Sequence, residues 1–183
     1  MATRKTSKRS RPVARPRRAA KRTTARRAPD AIAMLRADHA RVSEMFERFE
    51  NARGADRKEK LAGQICQELE VHMQLEEEIF YPAVREAIGA DDLMDEAIVE
   101  HQSAKELIAQ IQTMSAGDPL YDAKVTVLGE YIKHHVKEEH EEMFPQARKS
   151  GVDLVELGEQ MRTRKREIAS GGGAMNRLKR MMR

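Results

Sequence analysis

The chain of 183 residues has no tryptophan, aromatic residues make up only 4%, and there is a single cysteine, Cys66. One cysteine excludes an intramolecular disulfide and points to a reducing compartment. So few aromatics, beside abundant alanine and methionine, argue against a large β-sheet and for helices. No stretch has the roughly 20 apolar residues that a membrane span needs. The N-terminus also lacks the apolar run of a secretory signal and the amphipathic face of a mitochondrial presequence. A soluble cytoplasmic protein is the expectation. Acidic residues are missing from both ends: residues 1–30 hold twelve Lys/Arg against Asp30, and residues 162–183 hold eight against Glu167. The stretch between carries 28 acidic and 14 basic residues, so an acidic globule is flanked by basic arms.

Residues 1–29 are almost entirely Arg, Lys, Ala, Thr, Ser and Pro, which gives them nothing to bury and predicts a disordered tail. From Asp30, a suitable N-cap, the apolar spacing of Ile32, Leu35, Val42, Met45 and Phe49 predicts a helix ending before Gly54. A second helix is expected from about Asp56 to Ile88, kinked at Pro82 and stopped by Gly89. A third runs from Asp91 to the break at Gly117-Asp118-Pro119, and a fourth from about Leu120 to Lys149 with Pro145 inside it. Short connections force these four into an antiparallel up-down bundle over residues 30–150. A shorter helix follows over residues 151–170. Gly171-Gly172-Gly173 then reads as a flexible link to a basic tail ending at Arg183. The fold class is therefore all-α.

An internal repeat carries the chemistry. His72, Leu75-Glu76 and Tyr81-Pro82 lie over His135, Glu138-Glu139 and Phe144-Pro145 at an offset of 63, and Asp38-His39 lies over Glu100-His101 at 62. Two helical hairpins are thus related by duplication. Packed about a pseudo-two-fold axis, they bring one His from each odd helix and a His with a Glu from each even helix toward one centre. Residues four apart differ by only ~40° around a helix, so His72 with Glu76, and His135 with Glu139, project together. Burying four imidazoles and two carboxylates without partners is prohibitively costly, and metal ions remove that cost. This mixed ligand set suits iron or manganese better than a structural zinc site, which closes at four ligands. Two ions fit the ligand count best. The neighbouring acids of the Glu76-Glu77-Glu78 and Glu138-Glu139 runs read as solvated faces. Cys66 reads as a small core residue, and Tyr81 and Phe144 as closing the core beneath the site.

From about Ala31 to Ser150 these residues resemble the hemerythrin-like HHE cation-binding family, with a C-terminal extension of familiar type to Arg166. The resemblance implies His39, His72, Glu76, His101, His135 and Glu139 as metal ligands. It also implies two oxo- or hydroxo-bridged non-haem iron ions, with manganese the second choice. Ferritin-like bundles instead pair Glu with His at i+3, a pattern absent here. The invertebrate oxygen carriers place a second His four residues along the third helix, where this chain has Lys105, which speaks against reversible oxygen carriage. On the last helix their His and Asp stand five apart, a spacing His134 and Glu139 reproduce, whereas the repeat points to His135. His140 occupies the place corresponding to Glu77 and is a further ligand or a donor behind one. The roles the family implies are redox or oxygen sensing, peroxide breakdown, nitric oxide handling and iron homeostasis, with dioxygen, peroxide or nitric oxide as the small partner.

Residues 1–29 are similar to the Lys-, Ala- and Pro-rich arms of linker histones and bacterial histone-like proteins. That composition implies phosphate contact without base reading, and so a nucleoid-associated alternative in which the arm tethers the bundle to DNA or RNA.

Overall fold

Asp30 opens the first helix as expected: its carboxylate accepts the N–H of Ala33 at 2.7 Å, and α1 runs Ala31–Glu50. The structure, a computed structural model, describes residues 28–181, with side chains through Gly171. Most of the expected basic arm and the last two residues lie outside the described residues. After α1 come α2 (Ala55–Leu75), a π-helical turn (Glu76–Phe80) and α3 (Tyr81–Ile88), which form one rod. Gly89 stops that rod in the left-handed conformation, φ 63°. Next is α4 (Asp91–Gln112), and then a second composite rod: α5 (Tyr121–Glu138), a π turn (Glu139–Met143) and α6 (Phe144–Lys149). Neighbouring rods pack in a ring, α1 against α2 and α5, and α4 against the same two. The result is an all-helical antiparallel four-helix bundle. Among the described residues no helix is long and apolar enough to cross a membrane.

The helix continues past Pro82 as expected, and Pro82 and Pro145 are accommodated in the same way. A proline donates no N–H, and its ring crowds the carbonyl four residues back. Here each lies just after a turn widened by one residue, in which the Tyr81 N–H reaches the Glu76 carbonyl and the Phe144 N–H reaches that of Glu139. The widened turn relieves the crowding and keeps each rod continuous. Both π turns begin at the two glutamates singled out in the repeat, in keeping with the frequency of such turns at functional sites.

The core is divided. One apolar group gathers Val42, Phe49, Ile65, Leu69, Met73, Ile108 and Leu128, with Cys66 buried among them as expected. The other gathers Ile32, Leu35, Leu75, Phe80, Met94 and Phe144. Between them lies a belt of buried polar residues: Asp38, His39, His72, Glu76, His101, His135 and Glu139.

The last helix, α7 (Leu154–Met181), packs against α1 and α2 and adds Leu157 and Met161 to the second apolar group. Gly158 permits this approach, because a Cβ there would stand 2.9 Å from the backbone nitrogen of Ala31. The expected break at Gly171 is absent: the helix continues through Gly171-Gly172-Gly173. Each glycine costs a helix about 1 kcal/mol relative to alanine but, unlike proline, breaks none of its hydrogen bonds.

Candidate metal centre

Each of the four rods delivers one imidazole to the polar belt, and all four point Nε2 at the same small space. The Nε2 atoms of His39 and His72 are 2.8 Å apart, and those of His101 and His135 are 3.1 Å apart. The carboxylates lie between the pairs. Glu76 approaches His72 Nε2 at 3.1 Å through one oxygen and His101 Nε2 at 3.5 Å through the other. Glu139 Oε2 is 3.2 Å from His39 Nε2 and 3.8 Å from His135 Nε2. Two overlapping groups result, each with ligand atoms close enough to share one cation: His39, His72, Glu76 and Glu139, and Glu76, His101 and His135. All six residues named in the sequence are brought together. His134 is turned out to solvent beside Glu100 and Glu138, so it is His135 that faces inward.

A cation is what this arrangement fits. Glu76 is fully buried, yet neither of its oxygens has a hydrogen-bond partner, and Glu139 Oε2 is likewise unpartnered. An ionised carboxylate stripped of water and left unpaired is strongly disfavoured. The donor set of imidazole nitrogens and carboxylate oxygens fits one or two metal ions.

Behind each imidazole stands an acceptor or a charge, the arrangement that orients metal-binding histidines. Nδ1 of His101 pairs with Glu77 at 2.9 Å, and Nδ1 of His135 with Glu100 at 2.7 Å. Nδ1 of His39 meets His140 Nε2 at 3.0 Å, and His72 Nδ1 faces Asp38 at 3.9 Å. These supports repeat as the ligands do: Asp38 corresponds to Glu100, and His140 to Glu77. Glu77 is thus not the solvated residue expected from its run of acids, for it holds His101 and is itself held by Lys105. The sign was present in the sequence, since each of these groups sits one residue from a ligand in both repeats. Lys165, on α7, donates to Asp38 at 2.7 Å, a contact with no forerunner in the repeat.

Tyr81 is the residue that sequence reasoning undervalued. Its hydroxyl donates to Glu139 Oε1 at 3.0 Å and lies 3.3 Å from Nε2 of both His101 and His135. In an ordinary α-helix, residues five apart differ by about 140°, which turns Tyr81 away from Glu76. The π turn stacks residues five apart, bringing both onto one face.

Charge in the belt is strongly perturbed. Burial lifts Glu76 to about 7, with the Glu139 carboxylate adding to the effect. Glu139 is held below the ordinary range: burial opposes this, but the His39 imidazole 3.2 Å away and the charge of His135 outweigh it. Burial drives His39 down to about 4, and His101 down to about 2 with help from His135. His72 rises to about 10, against burial, through Glu76 and Asp38. Tyr81 is pushed well above 10 by burial and by Glu139, so its hydroxyl stays protonated and available to donate.

The Hemerythrin HHE cation binding domain profile matches residues 30–147. The chain is 30% identical over 111 residues to a DNA nickase of Nostoc sp., covering 61% of this chain and 31% of that one. It is 25% identical over 110 residues to an uncharacterized hemerythrin-like protein of Schizosaccharomyces pombe, covering 59% of this chain and 54% of that one. The match thus spans about a third to a half of these curated relatives. In fold, the chain resembles the crystal structure of a hemerythrin HHE cation binding domain-containing protein from Mycobacterium kansasii, with a TM-score of 0.69 at 22% identity, covering 82% of this chain and 93% of that one. With the match covering most of the bundle and the buried His and Glu cluster at its centre, this chain belongs to the hemerythrin HHE cation-binding domain family.

Proposed function

We propose that the bundle holds two iron ions through His39, His72, Glu76, His101, His135 and Glu139, and that its activity is to bind or react with dioxygen, peroxide or nitric oxide. The observation that carries this reading is Glu76, fully buried between two imidazole pairs with both oxygens free of hydrogen bonds. Bound iron would supply electron transfer to, or coordination of, the small ligand. The residues do the rest. His39, His101 and His135 offer Nε2 inward because their Nδ1 atoms are engaged outward, while His72 Nδ1 faces the Asp38 carboxylate. Glu76 and Glu139 neutralise part of the ionic charge and lie where a carboxylate reaches both halves. Tyr81 keeps its proton and can donate it beside Glu139, and the two apolar groups above and below limit water.

The test is metal analysis of purified protein, followed by optical spectra of anaerobically reduced protein on exposure to each of the three ligands. Iron that responds to one of them supports the reading. A protein that holds no iron, or iron inert to all three, would overturn it.

A second reading concerns nucleic acid. The twelve cations of residues 1–30 against one acid, and a relative named as a DNA nickase, favour an arm that carries the bundle to DNA or RNA. The acidic bundle would be repelled by phosphate, so binding should depend on the arm, ignore sequence and fall steeply with salt. Retention on unrelated duplexes, with and without residues 1–29, tests it: equal binding by the truncated chain removes the reading.

A further inference from the structure

We propose, resting on the di-iron reading above, that Lys165 is a positioning residue of the centre: from α7 it draws the Asp38 carboxylate off His72, so that the docking of α7 sets how strongly His72 holds its ion.

The duplicated hairpins supply the comparison. When Nε2 of a histidine binds a metal, Nδ1 carries the proton and donates it, and a carboxylate acceptor makes the imidazole a stronger ligand. In one half this pairing is closed: His135 Nδ1 lies 2.7 Å from Glu100 Oε2. At the corresponding positions of the other half, His72 Nδ1 stands 3.9 Å from Asp38 Oδ2, too far for a hydrogen bond. His72 Nδ1 is buried, and it has no hydrogen-bond partner among the described residues.

Side-chain length and charge both hold that gap open. Aspartate is one methylene shorter than glutamate, and both oxygens of Asp38 are claimed by cations. Oδ1 lies 3.1 Å from Arg41, while Oδ2, the oxygen that faces His72, accepts from Lys165 at 2.7 Å. Arg41 is half-exposed and shared with Glu68, so Lys165 is the stronger hold. Its reach is fixed by Met161, fully buried one turn earlier on the same face of α7.

A second contact shows that α7 acts on this half alone. Arg164, beside Lys165, holds Glu78 at 2.6 and 3.1 Å, and Glu78 lies in the π turn two residues beyond Glu76. In the repeat, Asp38 corresponds to Glu100 and Glu78 to Glu141. Among the described residues, α7 bonds neither counterpart: Glu100 meets His134 and His135, and Glu141 pairs with Lys137. The helix thus sets two adjacent cations on acids that flank the ligands of a single half. It also lies beyond residues 30–147, the extent of the family match, so this control is added to the ligand set and is not part of it. If Lys165 lets go, Asp38 Oδ2 becomes free to accept from His72 Nδ1. A more basic His72 then favours the ferric over the ferrous ion.

The test uses the full chain in two forms. In the metal-free protein, the Nδ1 proton of His72 is followed by NMR and assigned by its loss in His72→Gln. Wild type should show a fast-exchanging proton, and Lys165→Met should move it downfield and slow its exchange with water several-fold. Lys165→Arg keeps the cation, and Arg166→Gln removes one whose hydrogen bonds stay within α7; both should match wild type. In the iron-loaded protein, Lys165→Met should lower the reduction midpoint, and the same change in an Asp38→Asn background should have little effect. Lys165→Gln takes the place of Lys165→Met if the latter does not fold. An unchanged His72 proton in the folded variant would overturn the proposal. So would an equal fall in midpoint with and without Asp38, the mark of charge acting through space alone. A chain that takes up no iron fails the di-iron reading instead, and the metal-free NMR result still decides whether Lys165 positions Asp38.

Discussion

The two halves of the centre are built from duplicated hairpins, yet they are not equivalent. In the half around His101 and His135, the imidazoles are backed by two carboxylates, Glu77 and Glu100, and a tyrosine hydroxyl reaches in between them. In the half around His39 and His72, the corresponding positions hold an imidazole, His140, and an aspartate neutralised by Arg41 and Lys165. Where the first half has Tyr81, this one has Phe144, whose ring stacks parallel to His39 at 6.0 Å. One half is backed by two carboxylates and a hydroxyl; the other is backed by an imidazole, a carboxylate and an apolar ring. The duplication is visible in the symmetric set of inward residues, and the differences lie one residue away from them and at the Tyr81 and Phe144 positions.

Removing a ligand from either half should have the largest effect. His72→Ala or His135→Ala leaves Glu76 or Glu139 facing an incomplete set, and loss of most of the bound iron is expected by metal analysis. Full retention in both variants would show that the halves are not the metal-binding units. Next come the supporting groups. Glu100→Ala should weaken metal retention by about 10–100-fold, the usual consequence of losing a carboxylate behind a ligating histidine. His140→Ala should do less, because His140 is half-exposed and water can take its place. Competition with a chelator measures both, and equal losses would erase the proposed asymmetry.

Tyr81→Phe makes the two halves alike at this position. It removes a buried hydroxyl and leaves Glu139 Oε1 without its donor, which should cost the metal-free protein about 1–3 kcal/mol in urea unfolding. An unchanged midpoint would mean that the hydroxyl is not engaged there. The smallest effect lies away from the centre. Burial, with the charge of Glu70, raises the Cys66 thiol to about 11. The folded chain thus binds this proton more tightly than the unfolded chain, so the associated stability is complete below the ordinary thiol value of about 9 and is lost as pH rises through about 11. Alkylation of the native protein should stay slow near pH 9 and become fast in denaturant. Rapid native alkylation at that pH would place the thiol outside the core.

Most of the bundle was legible in the sequence because its signals are local. Asp30 as a cap, Gly89 as a stop and the apolar spacing of α1 each act within a few residues. The six inward residues were legible for another reason: a repeat shows twice what a single histidine cannot show once. What stayed hidden depends on geometry that periodicity does not encode. The π turns shift the helical phase by one residue, so Tyr81 read as core filler when it reaches the centre. Glu77 and Glu100 look like surface acids until a neighbouring rod supplies the imidazole they hold. The continuation of α7 through three glycines, and the reach of its Lys165 to Asp38, depend on a docking that no local pattern announces.

The central claim, a bridged iron pair in two unequal environments, is tested most directly by Mössbauer spectroscopy of protein loaded with iron-57. The account predicts about two irons per chain, magnetically coupled, giving two distinct quadrupole doublets of equal area. A single uncoupled iron per chain, or a pair with one shared environment, would contradict it.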